Sequence, residues 1–298
     1  MNRFRPLGLL AALAAVVAVV VLSRARAVSA SDDADTAPQT RVPSALRSID
    51  FGRPEAQVTL PKGLVEVSGL AVTANGSLLA HGDERGIVSV LDGLTGRVAR
   101  WFSLGRPPVR ADLEGIALVG PRLFLITSTG ILYEAREGAA ESEVAASVTD
   151  TGIGTQCEIE GLAWDARAQA LLVPCKTPLV DAWRDRVTVF RWPLVRTAQA
   201  SPPISVPLGA AIARTGTRGF RPSGIEVDPV TGNYVLVAGP ERALLEIDPR
   251  GDVVGGVALS RKLHRQPEGI AFLGDSLLVI ADEGSGSRAT LTTYRRAR

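Results

Sequence analysis

Cysteine, histidine and aromatic residues are scarce in this chain of 298 residues: two cysteines, two histidines and 5% Phe, Trp and Tyr. Two cysteines with no histidine close by in sequence make a poor zinc set. Lysine and arginine together nearly balance aspartate and glutamate, 33 against 31, and no helical basic stripe or aromatic stacking motif accompanies them. That pattern speaks against a nucleic-acid partner. The chain also lacks a Gly-x-Ser-x-Gly elbow, a Walker loop, a dinucleotide glycine fingerprint and a His-Glu-x-x-His pair, which removes the chemistries those motifs support.

What the chain has is repetition. Ser68-Gly69-Leu70-Ala71-Val72, Glu114-Gly115-Ile116-Ala117-Leu118, Glu160-Gly161-Leu162-Ala163-Trp164, Ser223-Gly224-Ile225-Glu226-Val227 and Glu268-Gly269-Ile270-Ala271-Phe272 share one pattern: acid or hydroxyl, glycine, branched aliphatic, small residue, hydrophobe. Their glycines lie 46, 46, 63 and 45 residues apart. A period near 45 that opens a set of short strands is the signature of propeller blades. Small residues fit innermost strands, where neighbouring blades crowd. Glu226 stands where the other copies carry alanine, either as a polar group lining the axial channel or as a ligand-binding carboxylate.

The expected fold is therefore all-β, a five-bladed β-propeller over residues 55–298. The fifth repeat runs out one strand short, and Ala56 to Leu60 is a lone apolar strand with no blade before it. That strand can complete the last blade and close the ring without an open edge. The 63-residue interval leaves six blades as the alternative; the five-blade reading assigns its surplus to insertions at Thr177 to Asp185 and Gly209 to Arg221. Within the second blade, Glu143 to Val148 reads as the outer strand.

Ahead of the ring, Arg3 and Arg5 precede a 16-residue apolar run, Leu7 to Leu22, with small residues at Ala25-Arg26-Ala27 and Val28-Ser29-Ala30. Residues 1–30 read as an export signal or, with Arg24 and Arg26 directly after the run, as an uncleaved membrane anchor. Either places the folded part in the periplasm or outside the cell. Residues 31–54 read as a disordered linker. Cys157 and Cys175 flank a hairpin whose strands, Ile159 to Trp164 and Ala170 to Lys176, would set the two residues opposite each other within one step of register; a disulfide is expected.

Several stretches together resemble the SdiA-regulated family of bacterial extracytoplasmic propellers: Val67-Ser68-Gly69-Leu70, Asp112-Leu113-Glu114-Gly115-Ile116-Ala117, Cys157-Glu158-Ile159-Glu160-Gly161-Leu162-Ala163 with Leu172-Val173-Pro174-Cys175-Lys176, Arg221-Pro222-Ser223-Gly224-Ile225, Gln266-Pro267-Glu268-Gly269-Ile270 and Ala281-Asp282-Glu283-Gly284. The resemblance implies an extracytoplasmic propeller, often tethered to a membrane, with no firmly assigned activity. More distantly the chain is similar to phytase-like esterase propellers and calcium-dependent lactonases.

A propeller gathers the starts of its innermost strands and the ends of its second strands on one face. That face would collect Glu114, Glu160, Glu268 and Asp282 as metal ligands, with hard oxygens suited to calcium or magnesium. Asp83, Lys176, Glu226, Arg221 and Arg265 would be ligand-binding residues. His81 and His264 would be candidate general bases beside a metal-bound water. Glutamates repeated at one blade position can equally be structural acceptors. Two functions follow: a binding propeller with a cation and a small anion or protein partner at the channel mouth, or a metal-dependent hydrolase of phosphate esters or lactones.

Overall fold

Alternating short strands and tight turns close into five sheets in the computed structural model, which describes residues 43–194, 201–284 and 286–297. The expected segment 1–30 lies outside the described residues. Among the described residues, no helix is long and apolar enough to cross a membrane. From the axis outward, the first blade is Val67–Val72, Leu78–Gly82, Ile87–Leu91 and Val98–Leu104. The second is Leu113–Val119, Arg122–Thr127, Ile131–Arg136 and Ser147–Asp150. Ala163–Asp165, Ala170–Pro178, Arg186–Pro193 and Ile204–Pro207 form the third. Gly224–Val227, Tyr234–Ala238, Ala243–Ile247 and Val253–Ala258 form the fourth.

The fifth blade is Pro267–Leu273, Leu277–Asp282, Thr290–Arg295 and, as its outer strand, Ala56–Thr59. The closing strand runs antiparallel to the last, with Ala56 opposite Thr293 and Thr59 opposite Thr290. Five blades account for the described chain, so the six-blade alternative falls. The surplus in the third repeat becomes a 3-10 turn at Asp181–Trp183 and the helix Leu208–Thr215, which packs on the fourth blade's outer strand. Hydrophobic clusters fill the spaces between neighbouring blades rather than one central core.

The axis is sealed by the repeated glycines. A side chain at Gly115 would put its first carbon 2.5 Å from the backbone of Gly161, and one at Gly224 would meet the Glu268 carbonyl at 2.2 Å. Only about 10 Å³ stays open among Gly69, Gly115, Gly161, Gly224 and Gly269. The two ends of the ring axis are thus separate compartments.

Three features differ from the sequence expectation. Residues 43–54 are ordered: Leu46–Ser48 form a 3-10 turn, and Ala45, Leu46 and Ile49 are buried against the fourth and fifth blades. The anchor is Glu246, a buried carboxylate that accepts hydrogen bonds from Ser44 Oγ at 2.6 Å, the Ala45 amide at 2.9 Å and the Leu46 amide at 3.2 Å. Second, the segment read as one strand at Glu143 to Val148 splits. Ser142–Val144 runs parallel to Val98–Leu104 of the first blade, and Ser147–Asp150 completes the second.

Third, the cysteine hairpin is interrupted at Gly161, whose φ of +107° takes it out of the ladder. Cys157 lies opposite Pro178 and Cys175 opposite Ile159, so the cysteines are diagonal rather than opposed. They are bonded, with Cα atoms 5.6 Å apart. A disulfide of this kind belongs to an oxidising compartment. Its loop, with a sequence separation of 18, is worth about 3 kcal/mol by chain entropy. Replacing both cysteines by serine is therefore expected to lower the melting temperature by about 8 °C, read by calorimetry under non-reducing conditions.

Candidate functional site

In three innermost strands the pairing slips at one residue. Val67 and Gly69 face Gly82 and His81, Leu113 and Gly115 face Thr127 and Ile126, and Pro267 and Gly269 face Asp282 and Ala281. Ser68, Glu114 and Glu268 are thereby left unpaired. A bulge re-aims the side chain it carries, and the repeated pattern of acid or hydroxyl before glycine marks these bulges in the sequence.

The two serines of the pattern turn back onto backbone: Ser68 Oγ donates to the Glu66 carbonyl at 3.2 Å, and Ser223 Oγ to the Pro267 carbonyl at 2.8 Å. The three glutamates share one mouth of the ring. Glu160, 2% exposed, is ion-paired with Lys176. Burial pushes the Glu114 carboxyl up to about 9, with Glu160 and Asp112 adding repulsion. Burial likewise lifts Glu268 to about 8 against the hydrogen bond from Gln266, 2.9 Å away, while Glu160 and Glu283 add repulsion.

Glu160 is raised too, chiefly by burial and against the pull of Lys176. Burial works against the Lys176 ammonium, but Glu160 and Glu114 outweigh it and raise its pKa. The acids continue along the rim. Gln266 Nε2 also donates to Glu283, Glu283 feels Asp83, and Asp83 with Glu84 raises Glu66. Glu66 and Gln266 were not among the expected site residues; each sits within two residues of one of the strand-start motifs.

Other expected members go elsewhere. Asp282 is 3% exposed and turned inward, accepting from the Gln266 amide at 3.2 Å and lying 2.7 Å from His264 Nδ1. The other nitrogen of that imidazole is 2.7 Å from the Tyr294 hydroxyl, and the ring is fully buried. His264 thus links two blade-five groups and does not reach the mouth. His81 is also fully buried; its Nδ1 lies 3.0 Å from the Gly82 carbonyl and its Nε2 has no hydrogen-bond partner among the described residues. Burial lowers it to about 4, against the Gly82 contact.

Glu226 occupies the opposite end of the axis, in a cavity of about 200 Å³ with Ala71, Ala117, Ala163 and Phe272. Burial lifts its carboxyl to about 7 although the Val227 amide donates to it. Arg265 lines a recess of blade five with Asp282 and Glu283 and donates to Ser287 Oγ at 3.4 Å, whereas Arg221 is paired with Glu241 beside a separate recess between the third and fourth blades. Among the described residues, no three of the His, Cys, Asp and Glu side chains are arranged as a ready metal shell. Their oxygens suit a hard cation, but Lys176 already supplies a positive charge there.

The ring and its mouth define a five-bladed β-propeller with an acidic cluster at one axial opening. Solved structures agree on the fold. A glutaminyl cyclase of Myxococcus xanthus is 16% identical, with a TM-score of 0.56 over 83% of this chain and 97% of that one. The PQQ-bound aldose sugar dehydrogenase of Streptomyces coelicolor is 14% identical, with a TM-score of 0.55 over 82% and 98%. At these identities the likeness is one of architecture. No protein-family model and no curated protein sequence matches the chain.

Proposed function

We propose that this chain is an extracytoplasmic binding propeller of the SdiA-regulated type whose axial mouth takes up a cation. The observation that carries this reading is the convergence of Glu114, Glu160 and Glu268, from three blades, on the single ammonium of Lys176. Burial is the main cause of their raised pKa values, and repulsion between the carboxylates adds to it without enough positive charge to offset either. A calcium or magnesium ion is the simplest supply of that charge, displacing or supplementing Lys176. The hydrolase alternative lacks an accessible imidazole, so a chemical step at the mouth would fall to the protonated Glu114 as acid.

Cation uptake must drive protons off Glu114 and Glu268. Calorimetric titration with calcium at pH 7 in two buffers of different ionisation enthalpy is expected to show release of one to two protons, roughly, per ion bound. Glu114→Gln should weaken binding at least about tenfold and remove about one of those protons. Calcium and magnesium that both fail to bind would sink the reading. Chelator-sensitive turnover of a phosphomonoester or a lactone would favour the hydrolase instead.

A further inference from the structure

The long third repeat builds a second cavity on this propeller. Its walls are the stretch from Cys175 to Arg186, the loop from Gly216 to Arg221 that follows the helix, and blade-four residues around Pro240 to Arg242 and Ala258 to Arg261. The recess measures about 870 Å³, against about 10 Å³ for the space among the axial glycines. The surplus that lengthens one glycine interval to 63 residues supplies two of its three walls.

Its lining is one-signed. Lys176, Arg184, Arg186, Arg218, Arg221, Arg242 and Arg261 face it, against the single acid Glu241. Three of these cations are neutralised: Lys176 by Glu160, Arg184 by Asp181 at 2.5 Å and Arg221 by Glu241 at 3.1 Å. Four are not. Among the described residues, Arg186 donates only to the hydroxyl and carbonyl of Ser205, and Arg242 only to the carbonyls of Arg265 and Pro240. Arg218 and Arg261 are exposed and make no hydrogen bond or ion pair among the described residues.

Guanidinium groups held around a cavity match phosphate and carboxylate oxygens in paired hydrogen bonds, and four uncompensated ones exceed what a single oxyanion can use. Leu208, Phe220 and Leu259 add apolar surface between them. We infer that the recess binds a small organic polyanion, carrying two or more phosphate or carboxylate groups on a sugar-sized carbon frame. Its walls adjoin the acidic mouth only through Lys176, so the inference does not rest on cation uptake there. A strand of nucleic acid is a poor fit, since Phe220 is the one aromatic residue of the lining and is 4% exposed.

The test is calorimetric titration of the protein with fructose 1,6-bisphosphate, trigalacturonate and inorganic phosphate at 50 mM and 500 mM salt. Saturable one-to-one binding of the bisphosphate or the trisuronate, at least tenfold tighter than inorganic phosphate and weakened tenfold or more by the added salt, is expected. Which of the two binds identifies the oxyanion. Arg218→Ala with Arg261→Ala should lose at least tenfold in that affinity while keeping the parent melting temperature and calcium response, because neither side chain has a partner to lose. Arg97→Ala, on an exposed turn of the first blade, should change nothing. Absence of binding by both organic anions overturns the inference, as does equal binding of all three or affinity that survives the double substitution.

Discussion

A chain begun at Pro61, without residues 43–60, is expected to lose its cooperative unfolding transition altogether. Three large aliphatic side chains leave with that segment, Leu46, Ile49 and Leu60, at 6%, 8% and 1% exposure. At about 1.5–3 kcal/mol for each buried aliphatic, this alone is on the order of 5–8 kcal/mol. The segment's departure also removes three of the donors that satisfy Glu246, leaving Asn233 Nδ2 at 2.8 Å to serve a fully buried carboxylate. It further exposes the edge of Thr290–Arg295 along its length. Against a total stability of roughly 5–15 kcal/mol, little remains. Circular dichroism melts and size-exclusion chromatography would show a non-cooperative, aggregating species. Removing only residues 43–54 keeps the closing strand and should leave a folded protein melting about 10 °C lower. If the chain begun at Pro61 melts cooperatively near the parent temperature, the ring does not depend on its closure.

Closure was legible because it follows from counting. A repeat missing its last strand at one end and a lone apolar strand at the other have few other ways to meet. The ordered residues 43–54 were not legible, because their anchor is Glu246, some 200 positions away and inconspicuous within a regular strand. A polar segment looks disordered when the group that satisfies its amides is remote. The strand split at Ala145-Ala146 escaped for a different reason: Glu143 to Val148 alternates well enough for one strand, and only packing decides that its first half pairs with the previous blade.

The candidate site was legible in part. The three repeated glutamates meet at one mouth with Lys176 since they occupy equivalent positions, and a repeat carries equivalence directly into space. Asp282, Glu226 and the two histidines depart because their placement hangs on single side-chain torsions and local partners. Asp282 turns to His264 and the Gln266 amide, and Glu226, two residues past its glycine, lies beyond the seal of the axis. The basic recess was visible only as scattered arginines. Arg184 comes from one insertion, Arg186 from the strand that follows it and Arg242 from a turn of the next blade, and no linear spacing announces that they share a cavity.

Glu114→Gln is expected to stabilise the protein at neutral and alkaline pH in the absence of a cation. An unfolded Glu114 ionises near 4.5, whereas the folded one holds its proton until about 9. Between those values the folded state binds more protons than the unfolded state, so this group's contribution is complete below pH 4.5 and is lost steadily as pH rises. Glu268, held up to about 8, adds a parallel loss. At pH 7 the Glu114 term approaches 3 kcal/mol, roughly, and water at the mouth reduces it to about 2 kcal/mol. Glutamine is neutral in both states and keeps the shape of the protonated acid, so the substitution cancels the loss. Melting temperatures of the two proteins should coincide near pH 4.5 and separate by about 5 °C at pH 7–8, the variant being higher. His81 does not imitate this behaviour: held neutral down to about 4, it loses stability as pH falls from 6.5, the opposite slope. Added cation should narrow the gap at pH 8 by stabilising the parent protein more than the variant, which binds it more weakly. A variant that melts at or below the parent temperature at pH 8, with chelator present, would mean that Glu114 is already compensated in the folded protein, and the mouth would have no unmet demand for positive charge.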